Sequence, residues 1–346
     1  MRFLNAVRRT DELSQLVACS EENYQMAEVV ENDLSPLVEA LQDAVRGTAN
    51  ELESCLVKSS DEIQLPNSKA ICHCYHVKLD GNSRPMIPAL VKILADAVVD
   101  YAIPRQQILD AKKRFDNTGS TDSFVRLAQQ ARSLFNDSST TGEGGELLLF
   151  LFAEKVLGLP QLLSKMILKT STRHHYHGID GLHAGTTSSG GLALYWGEAK
   201  MKEKRADAIR DALCDLSKFL REEIDLENRD IQLLNQNIDL DNQALESAII
   251  EYFTPTSSKF GEAEYRGIAF IGFDADAYAD DSQDVTAELV LEKISIMLPD
   301  WQLRVGTRIE TESVGTFVLN VLLLPFPSVA EFRLQFLKAI GVRNVD

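Results

Sequence analysis

Positive charge is in short supply in this 346-residue chain, which sets 35 Lys and Arg against 52 Asp and Glu for a net charge of −17. Coating DNA unaided depends on neutralising phosphates with Lys and Arg, so this balance argues against a protein of that kind. Apolar runs are short as well: Leu147 to Phe152 falls far below the ~20 residues of a membrane span. The opening MRFLNAVRRTDELSQ lacks the apolar core of a signal peptide, so a cytoplasmic protein without membrane association is expected. Five cysteines (Cys19, Cys55, Cys72, Cys74 and Cys214) are an odd number in a chain too large to need stapling, and reduced thiols are expected. There is no internal repeat, and no Gly-x-x-x-x-Gly-Lys-Ser/Thr loop, because GEGGE at 142–146 lacks the lysine. Any ATP dependence must come from another chain.

What is present begins with a hydrophobic fraction of 45%, enough for a sizeable core and an accessory unit. The charge is unevenly placed. Residues 221–300 hold 19 acidic and 5 basic side chains, a net of −14, whereas residues 161–210 hold eight basic against four acidic, a net of +4. The acidic flank reads first as solvated surface, with a docking face for a basic partner or a screen against unassisted DNA binding as alternatives.

The polar stretch 116–142, rich in Asn, Ser, Thr and Gly around a short helix near 123–135, suggests a boundary near 140. Before it, 22–58 reads as helical, 69–79 as a strand and 86–102 as a helix opened by Pro88, so 1–140 is expected to be an α+β accessory and partner-binding unit. After it, 144–157 reads as a buried helix; 163–169, a segment ending at Asp180, and 191–199 read as strands. A helix at 203–222, a second at 241–253, a strand at 265–273, a helix at 284–298, a strand at 315–324 and a helix at 327–341 complete the pattern. The order predicts an α/β fold, with 141–346 holding the chemistry and a C-terminal α/β extension.

The most informative string is Gly178-Ile179-Asp180-Gly181, followed 18 residues after the aspartate by Glu198-Ala199-Lys200. Side chains alternate on a strand, so Glu198 and Lys200 share a face with the apolar Leu192, Leu194 and Trp196. A buried strand that turns charged at its C-terminal end carries a solvation cost that a ligand or ion can offset. If Asp180 lies alongside, the two carboxylates can share Mg²⁺, with Mn²⁺ as a substitute, leaving room for an attacking water and a phosphate oxygen. Lys200 is then placed to stabilise developing charge, and the chemistry is phosphodiester hydrolysis. Glu146, 34 residues upstream of Asp180, is the expected fourth member, with Glu143 as the alternative.

At these residues the chain resembles the PD-(D/E)xK nuclease superfamily, whose core is a helix, a three-stranded meander, a helix and a fourth strand. The segments GEGGELLLFLFAEKVLGLP, HYHGIDGLH and LYWGEAKM are similar to those of the HamA family, the nuclease subunits of bacterial Hachiman anti-phage systems. The core resemblance covers about 140–275, and Asp180, Glu198 and Lys200 match its motif without substitution; Ile179 stands where the superfamily's name has Pro. The resemblance implies a DNA nuclease of low sequence specificity, complexed with a superfamily 2 helicase, HamB, and acting on damaged or invading DNA.

Other signals are weaker. Cys72, Cys74 and His76 alternate on one strand face, but no second pair at structural-zinc spacing accompanies them, so a half-buried strand is the simpler reading. His174, His175, His177 and His183 flank Asp180 and read as a polar loop near DNA, with His177 the one considered for a direct role. Lys202, Lys204 and Arg205 suit either DNA-backbone contacts or a solvated helix start. Two rivals to the enzyme stand: a nuclease-fold subunit that regulates or bridges a helicase without cutting, and a sequence-specific restriction-type endonuclease.

Overall fold

The protein is described from a computed structural model covering residues 36–135, 142–164, 179–221, 234, 237–278 and 285–342. Its strands in chain order are β1 (Leu56–Lys58), β2 (Ile63–Gln64), β3 (Ala70–Val77), β4 (Gly181–Thr186), β5 (Leu192–Lys202), β6 (Glu264–Asp274) and β7 (Leu319–Phe326). The helices are α1 (Pro36–Asp43), α2 (Asn50–Cys55), α3 (Ile87–Ala102), α4 (Arg105–Thr118), α5 (Asp122–Ser133), α6 (Glu143–Leu151), α7 (Arg205–Arg221), α8 (Gln243–Glu251), α9 (Ala287–Thr311) and α10 (Val329–Ala339). Among the described residues no helix is long and apolar enough to cross a membrane.

Strands β3, β7, β6 and β5 are largely apolar and buried on both faces, and such strands must be covered on both. They form the parallel centre of one mixed sheet of order β1-β3-β7-β6-β5-β4. The short β1 and β2 pair antiparallel with β3, and β4 closes the other edge antiparallel to β5. On one face, Leu192, Leu194 and Trp196 pack with Ile209, Leu213 and Leu216 of α7 and with Ile294, Leu298 and Trp301 of α9. On the other, Ala193, Tyr195, Ala199 and Met201 meet α6, α3 and α10 through Leu149, Leu94 and Phe332. The fold is therefore α/β, as the alternation of elements predicts.

Two glycines bring α6 close to its neighbours, one to the sheet and one to α10. A Cβ on Gly145 would stand 3.0 Å from the Met201 side chain, and one on Gly144 3.0 Å from Phe332 of α10. GEGGE thus serves close helix packing, and it fixes where the residue that follows the pair, Glu146, enters the site described below.

Several elements differ from their sequence-based reading. The expected helix 22–58 is interrupted: Gly47 takes φ 74 between α1 and α2, and the chain turns extended at Leu56 to pair with β3. Helix α4 falls partly in the stretch taken as polar linker; Pro104 precedes it and Gly119, at φ 69, ends it. Helix α9 does not stop at residue 298 but runs through Pro299, because the buried face of Ile294, Leu298, Trp301, Val305 and Ile309 continues past it. Packing there outweighs the backbone hydrogen bond that proline removes. The strand expected at 163–169 has only its first two residues described, and they lie outside any strand; 165–178 fall outside the described residues. Strand β4 begins after Asp180 rather than ending at it. Finally, β3 belongs to the first 140 residues yet pairs with β7 from Ala70↔Leu319 to Cys74↔Leu323, so the sheet is continuous across the expected boundary.

Candidate active site

The site sits where β4 meets the C-terminal half of β5. Gly181, the first residue of β4, pairs with Gly197, which sets Asp180 alongside Glu198. The Asp180 Oδ2 accepts the Ala199 backbone N–H at 2.9 Å, and its own N–H donates to the Gly197 carbonyl at 3.1 Å. Asp180 therefore caps the length of β5 left over where β4 begins. Glu198 and Lys200 project on the α7 face, since the alternate residues Ala199 and Met201 belong to the opposite core.

Burial makes this an electrostatically loaded spot. Glu198 is 1% exposed, its Oε1 is paired with the Lys200 ammonium, and its Oε2 is buried without a hydrogen-bond partner. Desolvation, reinforced by the Asp180 carboxylate, pushes the Glu198 pKa up to about 8 despite Lys200. Burial works against the charged form of Lys200 too, but the carboxylates of Glu198, Asp215 and Asp180 override it and raise its pKa. Lys200 thus remains an ammonium. It is held from a second side by Asp215 of α7 at 3.0 Å, which itself accepts from Lys218 at 2.6 Å. Burial would raise the Asp215 pKa, but those two ammonium groups bring it below the ordinary carboxylate value.

Glu146 reaches the same corner from α6. Its Oε2 accepts the hydroxyl of Tyr101, on α3, at 2.9 Å. Burial first, then the carboxylates of Glu146, Asp180 and Glu143, hold the Tyr101 pKa well above the ordinary phenol value. Glu143 is the more deeply buried of the two α6 glutamates, and the direct hydrogen bond from Tyr101 goes to Glu146.

The remaining sequence signals resolve differently. His183 is fully buried; its Nδ1 donates to the Leu159 carbonyl at 3.0 Å and burial lowers its pKa to about 4, so it is a neutral core residue rather than part of a wet DNA-facing loop. His174, His175 and His177 lie outside the described residues. Cys72 and Cys74 are buried thiols whose pKa burial pushes up to about 12, and His76 is bonded to Ser59 Oγ at 2.8 Å. Lys202 is ion-paired with Asp211, while Arg205 pairs with Asp300 at 3.0 Å and lies over Phe273 and Trp301. Lys200 and Lys202 are thus held by an acidic row on α7.

Tyr101 and Asp215 are the site residues that sequence reasoning missed. For Asp215 a signal existed: Asp207, Asp211 and Asp215 recur every four residues along α7, facing one side of the helix. For Tyr101 there was none, because nothing local says that α3 packs against α6.

Among the described residues no three His, Cys, Asp or Glu side chains already form a metal cage. Magnesium seldom needs one, being held by one or two carboxylates plus waters and substrate phosphates. The unpartnered, buried Oε2 of Glu198 beside the Asp180 carboxylate is the kind of donor pair such an ion takes.

No curated protein matched the chain. The family model named HamA matches residues 52–340, most of the chain and the whole of the site described above. The chain belongs to the HamA family, and that membership ties it to Hachiman antiviral defence.

Proposed function

We propose that this protein is a metal-dependent DNA nuclease of low sequence specificity, with Asp180, Glu198 and Lys200 as its catalytic group and Glu146 assisting. In this reading, helix α6, strands β4 and β5, helix α7 and strand β6 belong to a PD-(D/E)xK core. The observation that carries the proposal is the buried carboxylate of Glu198, with one oxygen on Lys200 and the other lacking a partner, next to Asp180. Lys200 compensates only one oxygen of this buried carboxylate, and a divalent cation is the further compensation that fits two adjacent carboxylates.

Asp180 and Glu198 would hold Mg²⁺, or Mn²⁺ in its place. The ion supplies Lewis-acid polarisation of a phosphoryl oxygen and a more acidic bound water. Lys200, kept charged by Glu198 and Asp215, donates to the phosphate as negative charge builds on it. Glu146 accepts from and orients a water. The chain's charge of −17 gives it low intrinsic affinity for DNA, so a partner that delivers it fits: a superfamily 2 helicase, HamB, in the cytoplasm, as an effector against phage.

Purified protein, alone and with its operon-encoded helicase, incubated on supercoiled and linear DNA with Mg²⁺ or EDTA and with or without ATP, tests the whole reading. Metal-dependent cleavage lost in D180A and E198A is expected, with ATP required in the complex. No cleavage under any condition, by protein that is folded, leaves the non-cutting, helicase-bridging role. Discrete fragments from a defined sequence point instead to a restriction-type enzyme. Cleavage by the complex regardless of ATP sinks the regulatory part alone.

A further inference from the structure

Tyr101 is 1% exposed, in the last turn of α3, and its ring is wedged between Phe150 and Phe135 at centroid distances of 5.4 and 6.3 Å. A tyrosine packed on both sides has no freedom to move its hydroxyl, and that hydroxyl donates to Glu146 Oε2 at 2.9 Å. A Cβ on Gly145, the residue before Glu146, would stand 3.7 Å from the side chain of Ala199, whose N–H Asp180 accepts, so this part of α6 lies over the same corner of the sheet. A neutral O–H donor fixes one carboxylate oxygen without adding a charge of its own.

We infer that Tyr101 is a positioning residue of the nuclease site, locking the Glu146 carboxylate in the orientation from which it holds a water of the metal that Asp180 and Glu198 would bind. The inference rests on the nuclease reading above and extends it into the first 140 residues: α3 completes the site rather than serving only as a docking unit. Loss of an outer partner of this kind typically weakens metal binding about 10-fold or more.

The test is a calorimetric Mn²⁺ titration without DNA, run on the full-length wild type, Y101F, E146Q and the double variant, with cleavage rates measured in parallel. Y101F keeps the ring, so thermal unfolding in EDTA should stay near wild type while Mn²⁺ binding weakens about 10-fold. In the E146Q background the same change should have almost no further effect, because Tyr101 acts through Glu146. Wild-type protein labelled with ¹³Cζ-tyrosine reads the same bond without altering Tyr101: Mg²⁺ should shift one of the eight tyrosine resonances, and E146Q should abolish that shift. Unchanged Mn²⁺ affinity in Y101F, additive losses in the double variant, no resonance that responds to both, or no Mn²⁺ binding by the wild type would each overturn it. Mn²⁺ binding with the expected pattern but no DNA cleavage would leave the positioning role intact and remove the nuclease reading.

Discussion

Asp180 accepts the backbone N–H of Ala199 across the end of the sheet, a bond that locks the first carboxylate of the site to the residue between the other two members. That oxygen is therefore structural, while the charge of the same carboxylate acts on Glu198. D180A should abolish cleavage and also cost about 1 kcal/mol of stability through the lost acceptor. E198A should abolish cleavage without that cost, since it removes a desolvated carboxylate repelled by Asp180. Cleavage assays and thermal melts of both variants in EDTA check this; wild-type cleavage at saturating Mg²⁺ by either one refutes the metal-site assignment.

Lys200 is predicted to serve the transition state and not the ion. K200A should lower cleavage by ~10²-fold or more while Mn²⁺ affinity stays the same or rises, because the ammonium competes with a cation for Glu198. Asp215 aims that ammonium from α7, so D215N should lower kcat about 10-fold with KM little changed. A K200A protein that cuts normally, or no longer folds, would make Lys200 a structural residue.

The acidic row on α7 should act as a brake on DNA binding. Asp211 holds Lys202, and Arg210 is held by Asp207 as well, so D211N frees Lys202 to meet phosphates. DNA binding by the nuclease alone should tighten several-fold, and the slope of log K against log salt should steepen by about 1 for each additional phosphate neutralised. Fluorescence anisotropy over a salt series reads both; an unchanged slope would show that this side chain does not reach DNA.

Acid should unfold the protein through its buried histidines. Burial lowers the pKa of His76 and His183 from 6.5 to about 4, so each is neutral in the fold and more basic when unfolded. As pH falls below 6.5, the unfolded chain takes up protons that the fold refuses, and stability drops until about pH 4, where the fold itself becomes protonated. The loss is of the order of a few kcal/mol, at about 1.4 kcal/mol per pKa unit. Urea titrations between pH 7 and 4 should show this fall, and a H183Q variant, if folded, should show a shallower one.

Much of the fold was legible in the chain itself. Leu192, Leu194 and Trp196 alternating with Ala193 and Tyr195 define a strand covered on both faces, and the two-residue period puts Glu198 and Lys200 together at its end. The repeat of apolar positions from Ile209 to Leu220 likewise marks α7. These features follow from local geometry, which a sequence states directly. The motif around Asp180, Glu198 and Lys200 and the family to which the chain belongs were readable for the same reason.

What the sequence left open depends on contacts between segments far apart in the chain. Strands β1 and β2 exist because β3 offers them an edge, and no short run of residues encodes that pairing. The boundary near 140 looked like a division because composition changes there, whereas hydrogen bonds between Ala70–Cys74 and Leu319–Leu323 carry the sheet across it. His183 looked like a polar neighbour of Asp180, yet strand alternation sends the two to opposite faces, one into the core and one to the site. Tyr101 reaches Glu146 from 45 residues away and Asp215 reaches Lys200 from a helix, so the partners of the candidate site were decided by packing. Period and charge act over a few residues and are written in order; burial and the meeting of distant side chains arise only when the sheet closes between its helices.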